Sequence, residues 1–328
     1  RAHERLAMKE FIKRVPIPTA GVALGLAALG NLLDPYVGAV RLLCGVLSLV
    51  LVVLVLSKAC MFPAMIKEDF RNPILASVSA TLFMAIMQLS GYLAPFAYLP
   101  AFIVWIAAIV AHLCLMIWFV FRFFRSFKLA SVFPTYFICY VGIIVAALTS
   151  PIYGMETLGT VLFWVGFACY PILLVLISVR YIKYPVPDAA RPLFCIYSAP
   201  ASLSIAGYLA ITETPNLIFV AVLLAFAQFC FISVLVKVPS FVKGGFFPSY
   251  AAMTFPFVIT ATALTLCIDL FAFEGFTLMC FEILCAIETV FAAVMVVFVL
   301  AHYLVFLSEP VRVAIKEYRT NAANMSEI

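Results

Sequence analysis

Long apolar runs, each closed by a few polar or charged residues, divide the chain into ten segments. They cover about Ile17–Leu33, Ala39–Phe62, Pro73–Leu93, Pro100–Phe124, Thr135–Thr149, Met155–Lys183, Pro192–Ile211, Pro215–Val238, Ser249–Leu270 and Phe276–Phe306. A hydrocarbon layer about 30 Å thick needs roughly 20 apolar residues of helix to cross it. Outer-membrane barrels instead alternate apolar and polar positions in blocks of about ten residues, a pattern these continuous runs exclude. The pattern predicts an all-α membrane protein with ten transmembrane helices.

Each odd segment starts at a proline: Pro18, Pro73, Pro134, Pro192 and Pro248, spaced 55 to 61 residues apart. Proline is tolerated in a helix's first turn, where its missing N–H has no partner to lose. Five at a near-constant period predict five helical hairpins, each crossing out and back. All copies run the same way, so they relate by rotation about the membrane normal, a quasi-five-fold arrangement.

The two helices of a hairpin differ. The odd segments hold no Asp, Glu, Lys or Arg until Asp269. They carry Thr19, Gly21 and Gly25; Ser77, Ser79 and Thr81; Gly142; Ser198, Ser202, Ser204 and Gly207; and Thr254, Thr260, Thr262 and Thr265. The even segments are oilier, and Pro100–Phe124 has no Ser, Thr or Gly. Small and polar residues belong where helices pack closely or meet water. This predicts an inner ring of odd helices around a central pore, with the even helices outside. The competing use of each hydroxyl is a bond back to its own helix carbonyls.

Composition agrees with the pattern. Hydrophobic residues make up 66% and charged residues 11%, against about 45–50% and 25% in soluble domains. That excludes a soluble enzyme, a nucleic-acid binder and a disordered chain. The ten cysteines lie in apolar runs without metal-ligand spacing, as buried small apolar residues. No phosphate loop, nucleophile elbow or zinc-helix motif is present, so neither an enzyme nor a cofactor is expected.

Charge sets orientation. Of the 20 Lys and Arg, all but Arg41 fall on one side, while Asp34, Glu156, Glu213, Asp269 and Glu274 lie on the other. The positive-inside rule then places both termini in the cytoplasm. The expected division is a basic segment at 1–14, a ten-helix domain at 15–306 and a cytoplasmic tail at 307–328.

Several stretches resemble the tellurite-resistance/dicarboxylate transporter family, which includes TehA-type bacterial proteins and the plant guard-cell slow anion channels. They are Pro16-Ile-Pro-Thr-Ala-Gly21-Val-Ala-Leu-Gly25, Arg71-Asn-Pro73, Ser198-Ala-Pro200-Ala-Ser202 and Met253-Thr-Phe255-Pro256. The resemblance covers roughly 15–306. It implies a homotrimer in the bacterial inner membrane, each protomer with its own pore for small inorganic or dicarboxylate anions. It also implies a phenylalanine of the ninth helix that plugs the pore, which by motif is Phe255. Family inner helices are kinked by prolines, and Pro200 and Pro256 sit well inside their spans. Segments three and five lack such a proline, so bends there need Ser77, Ser79 or Gly142.

The pore-lining candidates are Gly21, Gly25, Ser77, Ser79, Thr81, Gly142, Ser198, Ser202, Ser204, Thr254 and Thr262. Glu282 and Glu288 lie inside span ten and are possible proton sites, with His112 a possible companion through the fold. Two main readings follow. One is a gated anion channel closed by Phe255. The alternative is a proton-coupled carrier of dicarboxylates or oxyanions such as tellurite or sulfite. A third is a non-conducting scaffold whose C-terminal tail binds a partner.

Overall fold

The computed structural model describes residues 2–125 and 127–326. Arg1 and positions 327–328 of the expected tail lie outside them, as do the side chains of Arg5, Arg312, Lys316 and Arg319.

Every expected segment is helical, but the inner and outer ones differ in kind. The outer helices are mostly unbroken: α3 Gly38–Met61, α7 Tyr98–Phe119, α10 Glu156–Lys183, α12 Leu217–Leu235 and α15 Gly275–Ser326. α7 continues through a π-helical turn at Val120–Phe124. α15 runs on past Phe306 without a break, so its helix includes most of the expected tail.

The inner segments are interrupted. The amino-terminal helix α1, Ala2–Arg14, meets α2, Thr19–Leu33, at a bend of 82° measured from Met8. A short helix α4, Pro63–Asp69, precedes α5, Pro73–Val78, and α6, Ala80–Leu93. The fifth segment is α8, Thr135–Tyr140, and α9, Ile144–Thr149. A 3-10 run at Asp188–Ser198 leads into α11, Ala199–Ile211. The short α13, Val238–Val242, precedes a second 3-10 run at Pro248–Met253, which leads into α14, Phe255–Phe271. Among the described residues eight helices are long and apolar enough to cross a membrane, or nine if the bent pair forms one span. The fifth segment falls short because its helix is split in two.

The interruptions have local causes. Ser79 ends α5 with its hydroxyl donating to the Ala76 carbonyl at 2.6 Å. At Gly142, the Val141 and Gly142 amides both donate to the Phe137 carbonyl, at 2.8 and 3.1 Å. Pro200 and Pro256 do not kink an α-helix from within, as the sequence suggested. They occupy the first turns of α11 and α14, where a 3-10 run hands over to an α-helix and a missing N–H leaves no bond unmade.

α2, α6, α9, α11 and α14 form a closed ring, each packed on the next and α14 back on α2. α3, α7, α10, α12 and α15 lie outside it. In the third, seventh and ninth segments 67–78% of the crossing window is buried, against 33–39% in the outer helices. Among the described residues the fold is an all-helical, multi-pass membrane bundle of five hairpins. Arg41, alone among acidic residues, pairs with Asp34 at 3.2 Å and lies over the Tyr92 ring.

Candidate pore

A cavity of about 370 Å3 occupies the centre of the ring. Its walls come from the five inner segments and the residues just before them, and no outer helix contributes. The wall opens among Asn72, Phe133, Pro187, Ala189 and Phe247. Along the successive inner segments its last residues are Leu24, Met84, Gly142, Leu203 and Pro256. Farther on the helices close together: a Cβ on Gly207 would collide with the Ile144 side chain.

Phe255 is in the wall and only 5% exposed. It opens α14, directly after Thr254, whose backbone (φ −113°, ψ −90°) belongs to neither helix. The repeat explains its position. Seven residues after the repeat prolines stand Gly25, Ala80, Val141, Ala199 and Phe255. Phe255 thus stands where the other repeats carry smaller residues, and of these Val141 and Ala199 share the cavity wall with it.

Of the other candidates, Gly21, Thr81, Gly142, Pro200 and Pro256 line the cavity. Gly25, Ser77, Ser79, Ser198, Ser202, Ser204, Thr254 and Thr262 lie outside its wall. Their hydroxyl protons go to carbonyls. Ser204 donates to Pro200 at 2.7 Å, Ser198 to Cys195 at 2.9 Å and Thr262 to Val258 at 2.9 Å. Ser77 donates to the Pro73 carbonyl at 2.7 Å, and its oxygen lies 2.8 Å from the Thr135 hydroxyl, tying the third segment to the fifth. Thr81 lines the cavity but spends its proton on Val78 at 2.7 Å. The reason is packing: where helices touch, a buried hydroxyl must be satisfied locally.

Sequence reasoning missed the apolar wall itself, chiefly Leu24, Val78, Met84, Phe137 and Leu203. Aligning the repeats on their prolines is the signal that finds it, since Met84 and Leu203 share one offset. It also missed Arg180. This side chain, 2% exposed, lies 4.1 Å from the Phe133 ring at the cavity mouth. It donates to the carbonyls of Ala130, Tyr184 and Pro185 at 3.2–3.3 Å. Among the described residues no carboxylate neutralises it.

The two acids of span ten separate. Glu288 is buried, and neither of its oxygens has a hydrogen-bond partner among the described residues. Glu282 is exposed and shares a cleft with Tyr36 and Asp269. His112 does not meet Glu288; its Nε2 donates to the Cys139 carbonyl at 2.9 Å.

The repeat, ring and axial cavity accord with what comparison finds. No curated relative matches the chain. The family model described as SLAC1, voltage-dependent anion channel, matches residues 14–304, which takes in nine of the ten segments and all but the last two residues of the tenth. The chain therefore belongs to the SLAC1 voltage-dependent anion channel family.

Proposed function

We propose that the chain is a gated channel passing small anions through the centre of its own bundle, with Phe255 as the gate. The observation that carries this reading is the cavity walled by all five repeats and bordered by the Phe255 ring. An apolar constriction excludes water and leaves an ion without its hydration shell, so it gates by dewetting. Thr254 gives the gate a joint, because a small change in its non-helical backbone re-aims the next side chain.

Anion preference comes from the field, not from a charged filter. The wall holds no Asp, Glu, Lys or Arg. The positive amino ends of α6, α11 and α14 start at or beside wall residues. Arg180 adds an uncompensated positive charge at the mouth. Weak, distributed attraction of this kind lets an anion enter and leave. On the same reading the basic face is cytoplasmic, the membrane is the plasma membrane, and three protomers associate, each with its own conduit.

The test is the whole-cell current of wild type and Phe255→Ala in chloride, nitrate and malate at two external pH values. The expected result is a large, anion-selective, pH-insensitive current in the variant. Silence in both, with proton-driven uptake in vesicles, sinks the channel reading. The carrier reading rests on Glu288, a buried titratable group without a hydrogen-bond partner among the described residues.

A further inference from the structure

Outside the ring, on the basic face, Arg71 and Arg122 stand in the walls of two adjoining clefts. Neither cleft shares a wall residue with the axial cavity. The first runs between α4 and α7, with Lys67 on its rim; the second holds Lys128. Four cations therefore converge on one patch.

The nearby acids do little to neutralise it. Glu68 pairs with Arg71 at 2.9 Å in the open, and Asp69 turns to Lys58 at 3.6 Å. Among the described residues Lys67, Arg122 and Lys128 have no carboxylate partner. An excess of guanidinium and ammonium groups this close favours an anion of more than point contact, because arginine forks grip phosphate through paired bonds.

The first cleft also has an apolar floor. Cys114, Trp118 and Arg122 follow at four-residue steps on one face of α7. They mark a groove about 12 Å long, running from the cation into the bilayer. Phe70 packs on Trp118 with ring centroids 5.6 Å apart, and Phe83 and Leu115 complete the floor. At the rim the helix widens into the π turn that carries Arg122 and Phe123. Such turns are rare and recur at functional sites. Trp118, Phe124 and Phe127 are exposed at this level, as aromatic side chains are where headgroups lie.

We propose that this patch binds an anionic phospholipid. Arg71 and Arg122, flanked by Lys67 and Lys128, hold its phosphodiester, and one acyl chain follows the Cys114–Trp118 groove. A free phosphate would meet the cations but leave the groove empty. Basic pockets beside transmembrane helices on the cytoplasmic side suit such headgroups.

The purified protein, titrated with phosphatidylglycerol, phosphatidylcholine or inorganic phosphate, tests this by native mass spectrometry and thermal melting. Wild type should retain phosphatidylglycerol preferentially and melt higher with it, while phosphate alone has no such effect. Arg71→Gln/Arg122→Gln should weaken that binding at least about tenfold, at about one kcal/mol for each cation. Trp118→Ala should weaken it while leaving the preference for the anionic lipid. Lys67→Gln/Lys128→Gln, which leaves both arginines in place, serves if the arginine variant melts low in phosphatidylcholine; it should lose part of the preference. Equal retention of the two lipids overturns the proposal, as does undiminished binding in both charge variants. A melting shift reproduced by phosphate alone overturns the lipid assignment.

Discussion

Gly25 of α2 packs so closely on Thr254 that a Cβ there would fall 2.5 Å from the Thr254 Cβ and 3.1 Å from the Phe255 amide nitrogen. The Thr254 hydroxyl in turn donates to the Gly21 carbonyl at 3.1 Å and to Ala251 at 2.7 Å. α2 thereby fixes the base of the gate residue. Gly25→Ala must push the start of α14 away, and overpacking of this sort costs about 1–3 kcal/mol. The variant should melt lower and change the basal anion current, because the displaced backbone carries Phe255. A variant that melts and conducts like wild type would show that the contact has room to spare.

The size of residue 255 should grade the current. Burying a phenylalanine ring is worth about 1.5–3 kcal/mol, so its loss shifts a closed–open balance about ten- to hundredfold. At matched surface expression, Phe255→Ala should conduct most, Phe255→Leu less, and wild type and Phe255→Trp least. A flat or reversed order takes the ring out of the gate.

Lys58 is 5% exposed and pairs with Asp69 at 3.6 Å, holding α4 against the end of α3. Removing one partner of a buried ion pair strands the other charge at a cost of about 3–5 kcal/mol when fully buried. Asp69 is partly exposed, so the cost here should be smaller. Asp69→Asn should lower the melting temperature, and Lys58→Met added to it should restore part of the loss. If the double variant melts below Asp69→Asn, the pair is not what holds α4.

The ring was legible because two independent signals coincide in the sequence. Prolines mark the period, and absence of charge marks the inner members of each pair. The breaks at Ser79 and Gly142 were legible too, since these residues lack the side-chain bulk or supply the hydroxyl that a break needs. The wall was not. In helices apolar all round, as α11 and α14 nearly are, no polar stripe says which face meets the pore. Small and hydroxyl residues can serve either a pore or the helix itself, and Ser198, Ser202 and Ser204 bond back to carbonyls of their own segment. Pro200 and Pro256 misled for a related reason: sequence shows a proline within an apolar run, not the 3-10 run before it.

Glu288 separates channel from carrier. It is 1% exposed and lies one turn before Phe291, whose ring packs on Phe257 at 5.0 Å and on Phe231 at 6.1 Å. The Gln228 amide of α12 faces it, and that Nε2 also lacks a partner among the described residues. The carboxyl therefore sits among α12, α14 and α15, outside the cavity wall. A carrier that uses it must pass each protonation event to the substrate path through α14. A channel needs no such step. Glu288→Gln keeps the shape and removes the titratable proton. Under the channel reading, Phe255→Ala/Glu288→Gln should carry the same current as Phe255→Ala at both external pH values. Proton-driven uptake by wild-type vesicles that disappears in Glu288→Gln, with folding intact by melting, would replace the channel with the carrier.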